Sequence, residues 1–265
     1  MCAHLLALRE PTDLLFHLQT KLALQQLERL AQMVGERVSG KPLQLILGSV
    51  DFYSATLSVG EGIFIPRPET ETLVEVGLEF LRGRADTEGC PHGNHNKILD
   101  LCTGCGAALI ALVCETGWEG IGTDICQKAL AFAEGNARKN RVAQLLDFYR
   151  GDLFSALPEP HQKFPLIVAN PPYISTEQLE ALPPEVRNYD PREALDGGMD
   201  GLAVIRRIVA EAPEYLVSGG MLALEIGEEH SGAVSRLYQQ AGLSEVRISK
   251  DLAGRDRVVS GLWAR

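Results

Sequence analysis

Apolar residues recur at helical spacing between residues 13 and 38 (Leu14, Leu15, Leu18, Leu22, Leu27, Leu30, Val34), a pattern that predicts one or two amphipathic helices. The period then changes. Residues 43–47, 52–59 and 63–65 read as extended runs punctuated by Gly48 and Gly60, which predicts a β-hairpin. Residues 71–81 read as a helix and 83–96 as a polar, glycine-containing linker. From Lys97 onward short apolar runs (98–101, 120–123, 146–149, 166–169) alternate with helical ones (107–114, 127–139). Such alternation predicts right-handed βαβ units around a parallel sheet. A helix over 202–216, a strand over 220–226, a helix over 231–241 and a closing hairpin of 246–248 with 258–263 complete the chain.

Composition narrows the class. Of 265 residues 45% are hydrophobic, enough for one large packed domain and a small accessory one. No run of about 18 apolar residues is present to span a bilayer. Arg9, Glu10 and Asp13 interrupt the N-terminus where a secretory signal needs an apolar core, so a cytoplasmic protein without membrane association is expected. The formal net charge of −10 opposes the broad basic surface that non-specific duplex binding needs. Six cysteines (Cys2, Cys90, Cys102, Cys105, Cys114, Cys126) are too few and too scattered for a disulfide framework. Cys102 and Cys105 form a C-x-x-C, but inside a glycine-rich turn with no second such pair after it. Cys90, His92 and His95 fall in the polar linker, so no metal site is expected.

The run 166–169 leads into Asn170-Pro171-Pro172-Tyr173. Two prolines fix φ and remove two backbone donors, and the residue before the first is driven to extended geometry. The carbonyls of Asn170 and Pro171 are thereby held stiffly beside the Asn170 side-chain oxygen. Together they make an acceptor array for a planar NH2 group, with the Tyr173 ring as a flat wall; read alone, the tetrapeptide also fits a proline turn capping a strand. Upstream, 98–101 enters Cys102-Thr103-Gly104-Cys105-Gly106 and a helix starts at Ala107. Gly104 and Gly106 permit positive φ and close backbone approach, while the helix N-terminus favours a negative group. Asp124 stands at the end of the next strand, where doubly wound nucleotide-binding folds place an acid on ribose hydroxyls, and Gly151-Asp152-Leu153 ends a third. A dinucleotide fingerprint needs a third glycine, which is missing here. Ile65-Pro66-Arg67-Pro68-Glu69-Thr70-Glu71 fixes a loop that presents one cation, Arg67, or else caps the next helix with Thr70.

The Gly104-x-Gly106 loop, Asp124 and the N-P-P-Y tetrapeptide together resemble the S-adenosylmethionine-dependent methyltransferase fold, in the branch that methylates planar amide or amine nitrogens. The likeness sharpens over residues 40–265, where segments 65–71, 170–174, 185–187, 194–198, 200–202, 224–227 and 250–257 are similar to the HemK/PrmC family. This resemblance implies an α/β chain with a doubly wound, mostly parallel seven-stranded sheet. It implies a helical N-terminal domain over 1–42, a β-hairpin linker over 43–70 and a methyltransferase domain over 71–265. The implied reaction moves a methyl group from S-adenosylmethionine, leaving S-adenosylhomocysteine, to the side-chain amide nitrogen of the glutamine in the Gly-Gly-Gln loop of peptide chain release factors. Those would be protein partners, with no direct nucleic-acid contact. Carried over by position, cofactor contacts fall on Cys102, Thr103, Gly104, Cys105, Gly106, Asp124, Leu153 and Asn170. Asn170, Pro171, Pro172 and Tyr173 become the catalytic and substrate-holding set, with Arg67 on the partner. The chain departs from the family pattern at Cys102 (usually glycine), at Cys105 (usually small and polar), at Leu153 (where an aromatic can flank adenine) and in a short helical N-terminal domain.

An amide nitrogen is a poor nucleophile that gains positive charge on methylation, so acceptors aimed at its hydrogens suffice and no strong base is assigned. Glu225 reads as structural. Two rivals remain open. An adenine-amine methyltransferase on DNA or RNA would use a similar N/D-P-P-Y/F array, and a non-catalytic binding protein would keep the fold alone. Residues 174–201 carry seven acids against two arginines, which repels phosphate and favours a protein substrate.

Overall fold

The computed structural model describes residues 1–8, 11–85, 97–160 and 162–264. Helices α1 (Cys2–Leu5), α2 (Leu24–Val38) and α3 (Leu43–Leu47) open the chain, followed by strands β1 (Ser49–Phe52) and β2 (Ala55–Ser58). The helix expected over 13–38 is found in part, since Pro11–His17 is a 3₁₀ turn and the α-helix starts at Leu24. Residues 43–47, expected to be extended, are helical. Pro42 leads into that helix, and Gly48 ends it in left-handed geometry (φ 74°) with its N–H returned to the Gln44 carbonyl at 2.7 Å. Proline before and glycine after are helix punctuation, and they outweigh the β-like content of five apolar residues. The hairpin is correspondingly small: β1 and β2 pair antiparallel from Ser49↔Ser58 to Phe52↔Ala55, and 63–65 lie outside the strands.

After α4 (Glu71–Ala85) the expected alternation holds: β3 (Lys97–Leu101), α5 (Ala107–Thr116), β4 (Glu119–Asp124), α6 (Gln127–Lys139), β5 (Leu146–Arg150) and β6 (Phe164–Ala169). Beyond the short α7 (Pro184–Arg187), α8 (Ala203–Glu211) stops earlier than its pattern suggests. Pro213 cannot donate to a helical ladder, and a 3₁₀ turn at Ala212–Glu214 leads straight into β7 (Leu216–Glu225). Helix α9 (Ser231–Gln240) and the antiparallel pair β8 (Leu243–Lys250) and β9 (Asp256–Trp263) close the chain. The seven strands lie in the order β5-β4-β3-β6-β7-β9-β8, parallel from β5 through β7, so the doubly wound sheet implied by the resemblance is the one observed.

Side chains alternate across this sheet into two cores. Ile98, Leu166 and Val168 join α4, α5 and the hairpin residues Phe52 and Leu57; Leu99, Leu101, Ile167 and Ala169 join α8 and α9. Burial on both faces explains why these strands read as unbroken apolar runs. The hairpin docks through two asparagines one turn apart, Asn136 on α6 and Asn140 at its C-cap. Asn136 accepts the Ser58 N–H at 2.7 Å and donates to the Ser58 carbonyl at 3.1 Å; Asn140 does the same for Thr56, at 3.2 and 3.1 Å. Asn136 Nδ2 also donates to the Cys105 carbonyl at 3.0 Å, so one buried side chain ties the hairpin to the loop after β3. Among the described residues no helix is long and apolar enough to cross a membrane.

Candidate active site

The strand order reverses between β3 and β6, the place where open α/β sheets bind ligands beyond their carboxyl ends. A cavity of about 550 Å³ lies there. Every strand end named from the sequence reaches it: Cys102, Thr103, Gly104 and Cys105 after β3, Asp124 at the end of β4, Leu153 after β5, and Asn170, Pro172 and Tyr173 after β6, with Arg67 at the far wall. Gly106 and Pro171 do not line it. Gly106 is buried with φ 85°, and a Cβ there would meet Ile110 at 2.9 Å, so it is a packing glycine at the start of α5. At Gly104 (φ 57°) an added Cβ would meet nothing within 4 Å, which leaves its backbone open to a ligand.

Asp124 does two jobs in holding this wall. Its Oδ2 accepts the Gly104 N–H and its Oδ1 the Cys126 N–H, both at 2.8 Å. Burial raises its pKa while these N–H groups pull it back. Asp100, not named from the sequence, lies below: it is 2% exposed, accepts the Thr103 hydroxyl at 2.6 Å and titrates at about 7 because burial disfavours its charge. An acid inside the apolar run 98–101 was the available signal.

Cys102 takes left-handed geometry (φ 56°), which costs a residue with a Cβ about 1–2 kcal/mol and accounts for glycine being usual there. Burial raises the Cys102 thiol and pushes Cys105 up to about 12, with Asp100 and Asp124 adding to both. Neither is a reactive thiolate at neutral pH, as redox chemistry would need. Among the described residues no cluster of metal-binding side chains occurs; Cys90, His92 and His95 lie outside them. The double variant Cys102→Gly/Cys105→Ser is therefore expected to keep its turnover in zinc-free buffer, the introduced hydroxyl taking over the backbone N–H groups that face the Cys105 thiol. Activity lost in that variant and restored by zinc would reverse this expectation.

Arg67 is not a free cation. It is ion-paired with Asp190, whose side chain is fully buried and also accepts the Ile65 N–H at 3.2 Å. The pair fastens the segment after Tyr173 to the chain ahead of α4, across 123 residues of sequence. Thr70, whose capping was the other expectation for this loop, is buried and accepts from Asn170 Nδ2 at 3.2 Å, while the Tyr173 hydroxyl donates to Glu225 Oε1 at 3.2 Å. Gly197 and Gly201 press against the tetrapeptide from the far side: a Cβ at Gly197 would come within 2.8 Å of the Pro172 carbonyl, and one at Gly201 would overlap the Tyr173 carbonyl.

Comparison with known proteins accords with this geometry. Residues 98–189 match the family described as Methyltransferase domain, and 1–48 the PrmC N-terminal domain. The release factor glutamine methyltransferase of Thermodesulfovibrio yellowstonii is 38% identical over 236 residues, covering 89% of this chain and 81% of that protein. That of Cereibacter sphaeroides is 38% identical over 261 residues, 98% of this chain and 88% of its own length. The chain belongs to the release factor glutamine methyltransferase family. In fold alone this methyltransferase is also similar to the N-terminal domain of human METTL16 in complex with SAH (TM-score 0.56, 17% identity, 80% of this chain and 76% of that one). A ribosomal protein L11 methylase from Lactobacillus delbrueckii subsp. bulgaricus is comparable (TM-score 0.53, 18% identity, 78% and 84%).

Proposed function

We propose that this methyltransferase transfers a methyl group from S-adenosylmethionine to the side-chain amide nitrogen of the Gly-Gly-Gln glutamine of peptide chain release factors. The observation that carries the reading is one cavity with the open Gly104 backbone and Asp124 at one end and Asn170 with Tyr173 at the other. The first end fits the nucleoside: a carboxylate for hydroxyl groups, an exposed backbone, and apolar walls from Ile125 and Leu153. When bound, S-adenosylmethionine supplies an electrophilic methyl group on a sulfonium. The chain's own residues orient and stabilise the nucleophile. Asn170 gives its NH2 to Thr70, which turns Oδ1 the other way as an acceptor for one amide hydrogen. The Tyr173 ring packs on the amide plane. These fixed dipoles hold the positive charge that builds on nitrogen until a proton leaves.

The helical segment 1–42 receives the rest of the partner, and the exposed apolar side chains of Phe16, Leu18, Leu24 and Val38 support that role. The acids of 174–201 disfavour a nucleic-acid backbone in the same place. The test supplies labelled S-adenosylmethionine to purified release factor, to the same factor with its Gly-Gly-Gln glutamine replaced, and to DNA. Label that disappears with the single glutamine supports the proposal; label on DNA alone overturns it.

Asp124→Ala is expected to weaken S-adenosylmethionine binding by about 1.5–3 kcal/mol, the worth of a hydrogen bond to a charged acceptor. Because Asp124 also pins Gly104, part of that loss reflects a loosened loop. Isothermal titration reads it, and an unchanged dissociation constant would remove Asp124 from the site.

A further inference from the structure

The tetrapeptide is stiff along its backbone, but its two working side chains, Asn170 and Tyr173, rotate about bonds the prolines do not restrain. Their outer ends meet at one place. Asn170 Nδ2 donates to Thr70 Oγ1 at 3.2 Å, and Tyr173 donates its hydroxyl to Glu225 Oε1 at 3.2 Å. Thr70, having accepted from Asn170, still has its own proton to give, and the Glu225 carboxyl is near enough for that hydroxyl to hold its pKa down, although the hydrogen bond of normal geometry to the carboxyl is the one from Tyr173. Glu225 is 1% exposed at the end of β7, and its Oε2 is buried without a hydrogen-bond partner. A carboxylate is expensive to place there, and a neutral residue of the same shape would complete the β7 strand as well.

We propose that Glu225 is the positioning residue of this active site: through Thr70 and Tyr173 it fixes the rotamers of both side chains that hold the substrate amide. The proposal rests on the reading of the site given above and adds to it the device that orders the acceptor array. Glu225 touches neither cofactor nor substrate. Its carboxylate serves by having only acceptors. Facing it, the Thr70 hydroxyl can point only inward, so its lone pair must face Asn170; the group Asn170 turns to it must then be NH2, and Oδ1 is left for the substrate. A carboxamide or a protonated acid at 225 carries a donor of its own, lets Thr70 reverse, and so releases Asn170 to turn over.

Titratable groups that face Glu225 come from three other elements: the neutral Tyr173 hydroxyl after β6, the Arg257 charge on β9 and the Glu69 charge in the turn before α4. Arg257 is engaged elsewhere, with Asp251 at 3.2 Å and the Ile226 carbonyl at 3.1 Å, so it supplies positive potential rather than a hydrogen bond. Burial raises the Glu225 acid to about 7, with Thr70, Arg257 and Tyr173 opposing and Glu69 adding. In this arrangement the acceptor-only carboxylate is the form that orders Thr70, and it is lost as pH falls through that value.

The test compares wild type with Glu225→Gln, Thr70→Val and Thr70→Ser on release factor. Wild type must first label the glutamine; failure there removes the proposed function and not this inference alone. Given that activity, Glu225→Gln is expected to lower kcat about 10- to 100-fold, the cost of misplacing reacting groups, with the S-adenosylmethionine dissociation constant within about twofold of wild type. Wild-type kcat should rise as pH passes upward through about 7, and that limb should be flat in Glu225→Gln. Thr70→Val should lower kcat similarly, and Thr70→Ser should recover it relative to Thr70→Val. A folded Glu225→Gln with wild-type kcat, or one whose pH limb is the same as that of wild type in an Asp100→Asn background, overturns the proposal. If Glu225→Gln does not fold, the Thr70 pair decides: equal kcat in Thr70→Val and Thr70→Ser overturns it.

Discussion

Asn170→Ala is expected to lower kcat by about 10²–10³, the usual effect of losing one preorganised dipole aimed at developing charge. The side chain lines the cavity, and its amide makes one hydrogen bond, to Thr70, whose loss costs about 0.5–1.5 kcal/mol. In a chain of this size that lowers Tm by only a few degrees. Activity and stability should therefore separate widely. Single-turnover kinetics on release factor, with a thermal melt as control, make the comparison. A folded variant at near wild-type rate would show that the acceptor array is not the catalytic device.

Gly201→Ala is the second large effect, and it arises from backbone rather than side-chain chemistry. Gly201 has φ 73°, and a Cβ there would overlap the Tyr173 carbonyl and stand 2.8 Å from His230 Cε1. Nothing on the far side is a flexible chain end. The methyl group must displace the backbone of the tetrapeptide, at a cost of about 2–4 kcal/mol from overpacking and left-handed strain together. The expected result is a Tm lowered by about 5–12 °C and kcat reduced along with it, because Tyr173 moves with its carbonyl. Gly254→Ala is the control, since that glycine also has positive φ (79°) but meets nothing within 4 Å. Equal melting temperatures in the two variants would mean that close approach to Tyr173 is not what requires glycine at 201.

These two positions mark how differently the site could be read from sequence. The convergence of Cys102 to Cys105, Asp124, Asn170, Pro172 and Tyr173 on one cavity was legible because each is local, a special residue at the end of an apolar run, and the parallel sheet brings such ends together. The supports were not legible. Tyr173 and Glu225 are 52 residues apart, Thr70 and Asn170 100, Arg67 and Asp190 123, and no spacing rule relates them. Arg67 was assigned to the partner because an arginine between prolines reads as displayed, and only the fold reveals the buried acid that neutralises it. Element boundaries failed for a related reason. Five apolar residues at 43–47 fit strand and helix alike, so the flanking Pro42 and Gly48 decided the matter.

Asn136 and Asn140, on α6 and at its C-cap, also determine where the molecule can be cut. Measured by its hydrogen bonds, the hairpin is an eighth edge of the catalytic body, because Asn136 and Asn140 treat Ser58 and Thr56 as a neighbouring strand would. A fragment starting at Glu71 would strand both carboxamides and bare the Phe132 ring that Gly60 covers. Ahead of Ser49 the ties are fewer: Leu45 packs against the core, Gly48 accepts the Val59 N–H at 3.1 Å, and the surface pairs Arg37–Glu185 and Lys41–Glu61 are each worth at most about 1 kcal/mol. A seam for building chimaeras, in which the helices of one relative are grafted onto the body of another to test whether they set partner preference, therefore runs at Gly48, one residue before the first strand of the hairpin.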